Sequence, residues 1–405
     1  MVTENYKEIE AESTRTLMKN MRDLSFPRLV GSEGEPKALD MIKAKYKELG
    51  YEPIVEKVPT SYYRSNFLPA FGNLLGGSLL SVSTLIYMLL PWLFILPIII
   101  MLGELIMMSS GSPAFSQPPN HPKRWKIFES ENLIAQSQGE GDINIVFMGH
   151  WDSKSTRLTG LQRGICYFTL LACSLAVMVV GLIGLILYYA PTIDVNSAIL
   201  TILWICSING VVPAVILSFN FVGNLSPGAC DNATSVANVL ECMKFFKENP
   251  IEGVKFTYLL TTAEETGLTG SYYFVKNRKD DPRWSPDNTF AINWDLAGLS
   301  GPIFVNTAIG IPKKQKAQTL APLIPLIEEE QDIDVHDVYL PIGGWTDSLS
   351  FIHYGYESLT IGSGGAASKV HTINDTPDII NPQRLFASLI VGIELAKKLI
   401  ASKGK

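Results

Sequence analysis

Two long apolar stretches interrupt an otherwise amphipathic chain. From Phe67 to Met108 the only charged residue is Glu104, and Pro91 and Pro97 break the run near its middle. A helix needs about 20 residues to cross roughly 30 Å of hydrocarbon, so a run of this length predicts a helical hairpin rather than one span. Its helices are placed at 67 to 89 and 91 to 109. A second block, Ile165 to Phe221, carries a single charge, Asp194, grouped with Pro191 and Asn196 where a turn would fall. It predicts helices at 165 to 189 and 196 to 221. Buried core helices are the alternative, but uninterrupted apolar stretches of this length are rare in soluble domains.

The remaining pieces, 1 to 66, 110 to 164 and 222 to 405, alternate between helical and strand-like patterns. Helices are expected at Tyr6 to Leu24, Glu35 to Leu49, Ala233 to Lys247, Gly270 to Asn277, Lys314 to Gln331 and Pro382 to Ser402, with Gly50 as a left-handed cap on the second. Strands are expected at Tyr51 to Val58, Asn132 to Ser137, Ile143 to Met148, Lys255 to Thr261, Thr289 to Asn293, Ile303 to Asn306 and Ser358 to Ile361. Such alternation predicts an α/β catalytic domain with a mostly parallel central sheet and helices on both faces, interrupted by transmembrane hairpins at 67–109 and 165–221. Chemistry in such a sheet sits beyond the carboxyl ends of the strands.

Charge and composition narrow the function. A net charge of -6 gives no basic face for nucleic acid. A positive mean hydropathy of 0.18 in a chain with 18% charged residues means that the apolar residues are concentrated in blocks. Cys166, Cys173, Cys206, Cys230 and Cys242 form no CxxC pair and read as reduced thiols. The first 20 residues are polar and charged, without the pattern of a signal peptide. Arg64, Lys123, Arg124, Lys126, Lys154, Arg157 and Arg163 flank the apolar blocks, while the hairpin tips hold no Lys or Arg. The positive-inside rule then predicts a multi-pass protein with its catalytic domain in the cytoplasm. Glu104, about one turn from its helix end, reads as an interfacial anchor.

Candidate chemistry lies at strand ends. Gly149-His150-Trp151-Asp152 follows an apolar strand, and residues i and i+2 share a face, so Asp152 can stand beside His150. Asp231 precedes a helix, where a helix cap is the plainer role. Glu264 and Glu265 are adjacent carboxylates that repel each other; a solvated loop explains them, as does a metal holding one while the other acts as a base. Asp295 ends another strand, and His371 follows the glycine-rich loop Gly362 to Gly365, which lacks the Lys-Ser/Thr of a phosphate loop. Two histidines and three carboxylates without a thiolate suit zinc, with manganese or cobalt as alternatives.

The order of these motifs resembles the co-catalytic di-zinc aminopeptidases, the M-twenty-eight metallopeptidases, whose relatives include glutamate carboxypeptidase and glutaminyl cyclase. His-x-Asp, Gly-Ala-x-Asp-Asn, Glu-Glu-x-Gly-Leu-x-Gly-Ser, a strand-end Asp and a late His occur here in order. The resemblance implies two Zn2+: His150 and Asp295 on one, Glu265 and His371 on the other, and Asp231 bridging them. It implies Glu264 as general base, Asp152 orienting His150, and hydrolysis of N-terminal peptide bonds through a metal-bridging water. Asp347 falls where the family often has Ser-Asp-His; Ser348 replaces that His, which leaves its supporting role open.

The second hairpin separates His150 from Asp231, and relatives bridge that gap with a short loop. An active site facing the membrane surface is therefore expected, with hydrophobic or membrane-presented peptides as substrates and the lipid bilayer as partner. Amide hydrolysis of acylated amino acids or lipid amides, glutaminyl-cyclase-like acyl transfer, and a non-enzymatic receptor or scaffold are the rival readings. The motifs do not specify side-chain preference or oligomeric state.

Overall fold

The computed structural model describes residues 2–107, 126–138, 141–189, 196–341, 343–365 and 368–403. The chain divides into two compact units: Met1–Ser61, Ser110–Ser155 and Gly223–Lys405 form the first, and Tyr62–Ser109 with Thr156–Val222 the second.

Among the described residues the first unit contains a nine-stranded sheet. Its strands are β1 (Ile54–Thr60), β2 (Phe128–Gln136), β3 (Ile143–His150), β4 (Val254–Thr261), β5 (Thr289–Trp294), β6 (Ile303–Ile309), β7 (Lys314–Gln315), β8 (Val335–Leu340) and β9 (Glu357–Ser363). They lie in the order β1-β2-β4-β3-β5-β9-β6-β8, with β7 paired to β6. The β3/β4, β3/β5, β5/β9 and β6/β8 pairs are parallel. The β1/β2, β2/β4, β6/β9 and β6/β7 pairs are antiparallel. The sheet is therefore mixed, not mostly parallel as expected. The reason is visible at β1 and β2: Thr60 pairs with Phe128, so the chain leaves and re-enters the sheet at one end. A parallel return needs a crossover to the opposite end.

The central strands are apolar on both faces, because helices cover both. Phe147 of β3 stacks with Phe256, Tyr258 and Trp294 of its neighbours on one side. Val146 and Met148, which alternate with it, pack on the other side with Leu259, Phe274 and Phe351. Most expected elements are present, and Gly50 has the left-handed φ of +80° expected of it. The expected helix Lys314 to Gln331 is a correction. Lys314–Gln315 is a strand, Ala321–Leu323 a short 3₁₀ turn, and α-helix covers only Ile324–Gln331. Pro322 and Pro325 lack the N–H that a helix interior requires and so set its start. Strand β8 is not expected from the sequence: polar His336 and Asp337 lie on an edge strand, where the apolar alternation that marks a half-buried strand is lost.

In the second unit, Tyr63–Leu89, Gly160–Tyr189 and Asn196–Ser218 are long and apolar enough to cross a membrane. The fourth expected span is shorter: a 3₁₀ turn at Pro91–Phe94 leads into Ile95–Met107. Residues 108–125, the tip holding Asp194, and the side chain of Glu104 lie outside what the structure describes. Polar groups point inward here. The Thr84 and Ser207 hydroxyls are 2.7 Å apart, and Ser207 Oγ donates to the Leu80 carbonyl at 2.9 Å. At Gly77 an added Cβ would lie 2.7 Å from Ala214 Cβ, so the close approach of these two helices requires glycine there. Ile186, Val179, Ile208 and Phe71 face outward, each more than half exposed.

Candidate metal centre

The parallel strands β3, β4, β5 and β9 end on one rim, with His150 paired to Thr261 in register. His150 closes β3, Glu264 and Glu265 follow β4, Asp295 follows β5, and His371 follows the loop after β9. Asp231 comes from the segment Ala229–Ala233; the helix that follows starts at Thr234 with Ala233 in the cap position, so Asp231 stands two residues ahead of the cap and the plain helix-cap reading does not describe it.

These side chains form two triads that share Asp231: His150, Asp231 and Asp295, and Asp231, Glu265 and His371. Asp231 Oδ1 is 3.2 Å from His150 Nε2, and its Oδ2 is 2.9 Å from His371 Nε2. One carboxylate thus presents one oxygen to each triad. Asp295 Oδ1 lies 3.8 Å from His150 Nε2, and Glu265 Oε2 3.4 Å from His371 Nε2. Glu264 Oε2 is also 3.8 Å from His150 Nε2, at the edge of the first triad rather than in either ligand set.

The surroundings hold these groups in place. Asp152 does two things: its carbonyl lies 3.0 Å from His150 Nδ1, and its carboxylate accepts the N–H groups of Glu264 and Glu265, both at 3.3 Å. Its Oδ1 is farther from the imidazole, at 3.5 Å. Asp347 accepts from the Thr261 hydroxyl and is buried at the same rim. Burial pushes its carboxyl up to about 6. Ala263 and His371 have positive φ values of 54° and 59°, a left-handed backbone uncommon outside glycine that recurs at functional sites.

Two residues that the sequence did not bring forward, Asp375 and Arg28, are built into this site, with Lys154, which it placed only among the flanking charges. Asp375 accepts the N–H of Cys230 at 2.7 Å and of Asp231 at 3.1 Å, and burial raises its carboxyl to about 6. Its spacing, four residues after His371, was the available signal. Arg28 is fully buried, and its guanidinium donates to the carbonyls of Trp151, Leu24, Pro227 and Gly228. Burial lowers its pKa to about 10, against the opposing pull of Asp375, Asp152, Asp231 and Glu265. At Gly228, φ is +64°, and a Cβ would come within 2.5 Å of Ser153 and 2.9 Å of the Arg28 guanidinium. Lys154 places its ammonium 2.5 Å from Glu265 Oε2. Lys154, one of the charges flanking the apolar blocks, therefore also has a partner within the site. Lys123 and Arg124 lie outside the described residues.

The electrostatics suit a cation. Burial alone would raise Asp231, yet His371 and His150 hold it well below the ordinary range. Burial pushes Glu264 well above its usual value, opposed by His150 and reinforced by Glu265 and Asp295. Both imidazoles are raised despite burial, because the carboxylates around them favour the charged form. His150 Nε2 is buried and makes no hydrogen bond, although three carboxylate oxygens lie within 4 Å. Divalent metal binding answers this arrangement, since a metal takes the place of protons on such ligands.

An α/β rim carrying a buried imidazole and carboxylate cluster defines a candidate divalent-metal site. Residues 214–391 match the model of Peptidase family M28, which bears out the resemblance read from the motifs. That span contains Asp231, Glu264, Glu265, Asp295 and His371, while His150 and Asp152 precede it. Among solved structures, the aminopeptidase from Aneurinibacillus sp. strain AM-1 is similar at 14% identity and TM-score 0.55, over 95% of this chain and 93% of that one. The zinc aminopeptidase BSAP from Bacillus subtilis matches at 13% identity and TM-score 0.55, over 95% of each chain. A glutaminyl cyclase from Fimbriiglobus ruber matches at 12% identity and TM-score 0.51, over 94% of this chain and 95% of that one. At these identities the likeness establishes the fold. No curated protein matches the chain.

Proposed function

We propose that the protein is a membrane-bound, zinc-dependent aminopeptidase that hydrolyses N-terminal peptide bonds. The observation that carries this reading is the pair of triads sharing Asp231, with Glu264 beside them and outside both. His150, Asp231 and Asp295 would hold one zinc, and Asp231, Glu265 and His371 a second. Zinc bound in this way supplies Lewis acidity, polarising a carbonyl and lowering the pKa of a water. Glu264 accepts the proton of the attacking water on a carboxylate oxygen and delivers it to the departing amine nitrogen. Asp152 fixes the backbone of Glu264 and Glu265, Asp375 fixes that of Asp231, and Asp347 supports the rim through Thr261.

Membrane attachment is supported by three helices of sufficient length with outward apolar side chains. Arg157 and Arg163, on the hydrophilic side of the second apolar block, favour a cytoplasmic catalytic unit. That block is inserted between His150 and Asp231, which favours hydrophobic peptides presented at a membrane surface, with the bilayer as the other partner. Digestion of a peptide library in detergent, with and without a chelator and read by mass spectrometry, tests the reading. Release of free N-terminal amino acids that stops with chelator is the expected result. Cyclised N-termini or lipid-amide cleavage in its place would overturn it.

A further inference from the structure

We infer that Thr60, the last residue of β1, is a positioning residue for Glu264, holding the loop that carries this base through Thr266 and Thr269; this rests on the metallopeptidase reading above. Residues 262–270, after β4, turn back on themselves. The N–H of Gly270 donates to the Thr262 carbonyl at 3.0 Å, that of Thr269 to Ala263 at 3.1 Å, and that of Leu268 to Glu264 at 2.9 Å. Ala263 and Leu268, on either side of the turn that holds Glu264 and Glu265, have φ values of 54° and 58°. A left-handed backbone at two residues that carry side chains persists only where the surroundings impose it.

Strands β1 and β2 supply those surroundings. At the base of the loop, Asn132 of β2 accepts the Thr262 N–H at 3.0 Å and donates to the Gly270 carbonyl at 2.9 Å. Ser130 of the same strand meets the Thr262 hydroxyl at 2.5 Å. Farther along, Thr60 Oγ1 lies 2.9 Å from the Thr266 hydroxyl and 3.5 Å from that of Thr269. Thr266 directly follows Glu265, and its hydroxyl also reaches the Ala263 carbonyl at 3.4 Å. Thr60, Thr266 and Thr269 are fully buried, so no water replaces a lost partner. Asp152 fixes the N–H groups of Glu264 and Glu265 themselves, and Thr60 fixes the residues that follow them. Thr60 stands two residues before Tyr62, where the helical unit begins. The insertion of that unit is therefore built onto the strand end that holds the base loop.

Thr60→Val keeps the shape of the side chain and removes its hydroxyl. The full zinc-loaded chain in detergent is assayed on a hydrophobic peptide that the wild type cleaves in the library digestion, with zinc content and a thermal melt recorded for each variant. In Thr60→Val, kcat should fall about tenfold or more, the scale of a small misplacement of a catalytic group, with KM within about twofold and zinc content unchanged. Thr60→Ser restores the hydroxyl and should recover most of kcat. Thr266→Val should give the same loss from the loop side, and the double variant should be no slower than either single one. A folded Thr60→Val protein with wild-type kcat overturns the inference. So does a loss of kcat that comes with lost zinc, that Thr60→Ser does not relieve, or that adds to the loss in Thr266→Val. Should Thr60→Val not fold, Thr266→Val decides: lowered kcat with retained zinc supports the inference, and wild-type kcat overturns it. A wild type that cleaves no peptide in the library overturns the metallopeptidase reading and this inference with it, a result distinct from an unaffected Thr60→Val.

Discussion

The two units treat polar and apolar side chains in opposite ways. In the sheet-containing unit the large side chains are inside: Phe147, Phe256, Tyr258 and Trp294 are buried, and the polar exceptions gather at one rim. In the helical unit, Ile186, Ile208 and Phe71 face outward, while Thr84 and Ser207 meet in the interior. The first arrangement suits a surface in water. The second suits one in hydrocarbon, where apolar burial drives little association and interior hydroxyls and close-packed glycines hold helices together. The contrast teaches that a buried polar group means different things in the two units. In the helices it is a packing contact, and on the rim it is a cluster of acids and imidazoles that favours a cation.

The rim side of the comparison has the largest effects at stake. Asp231→Ala removes the one carboxylate common to both triads, so both sites should lose metal and activity should vanish; elemental analysis of the purified variant would show retained zinc if the sharing is wrong. Acid should mimic this loss. The imidazoles are raised above their ordinary range, so protons compete for them before pH falls to 6.5, and zinc content after equilibration should drop as pH falls. Next in size, Glu264→Gln should keep its zinc yet lose at least about 100-fold in turnover, the lower range for a general base. Near-normal turnover would place the base elsewhere.

Lys316 tests whether every buried charge of the sheet unit serves the rim. It is 4% exposed, its ammonium has no hydrogen-bond partner, and burial lowers its pKa from 10.5 to about 7. The folded state thus disfavours the charged amine, a penalty fully present below pH 7 that fades as pH rises to 10.5. Lys316→Met should stabilise the protein by on the order of 2 kcal/mol at neutral pH, with the gain gone in alkali. A destabilised variant in chemical unfolding would reveal a partner that the amine serves. The smallest effect belongs to the helical unit, where Ser207→Ala should cost about 0.6 kcal/mol in bilayer or detergent, the typical worth of a hydroxyl contact between membrane helices. A loss several times larger would mean that this unit relies on polar contacts as the rim does.

Much of this was legible in the sequence, unevenly. His150, Glu265 and Asp295 end apolar runs, so their placement on one rim followed from the rule that strands of a parallel core end together. The fourth apolar helix and the Lys314 to Gln331 segment were drawn too long, because hydropathy does not register where proline starts or stops a helix. Strand β8 escaped because an edge strand carries charge on its exposed faces. Lys154 stands two residues after the His-x-Asp motif, where the sequence marks it only as a charge flanking an apolar block.

What the sequence determined by itself is the set of local choices: which runs are apolar enough for helix or strand, and which residue types stand at their ends. Those depend on neighbours a few positions away. Tertiary structure alone decided the partners of the charges. Lys154 and Glu265 are 111 positions apart, and Arg28 reaches Gly228 across 200. The order β1-β2-β4-β3-β5-β9-β6-β8 folds distant segments onto one rim, where burial makes a single ammonium or carboxylate count for far more than it does in water.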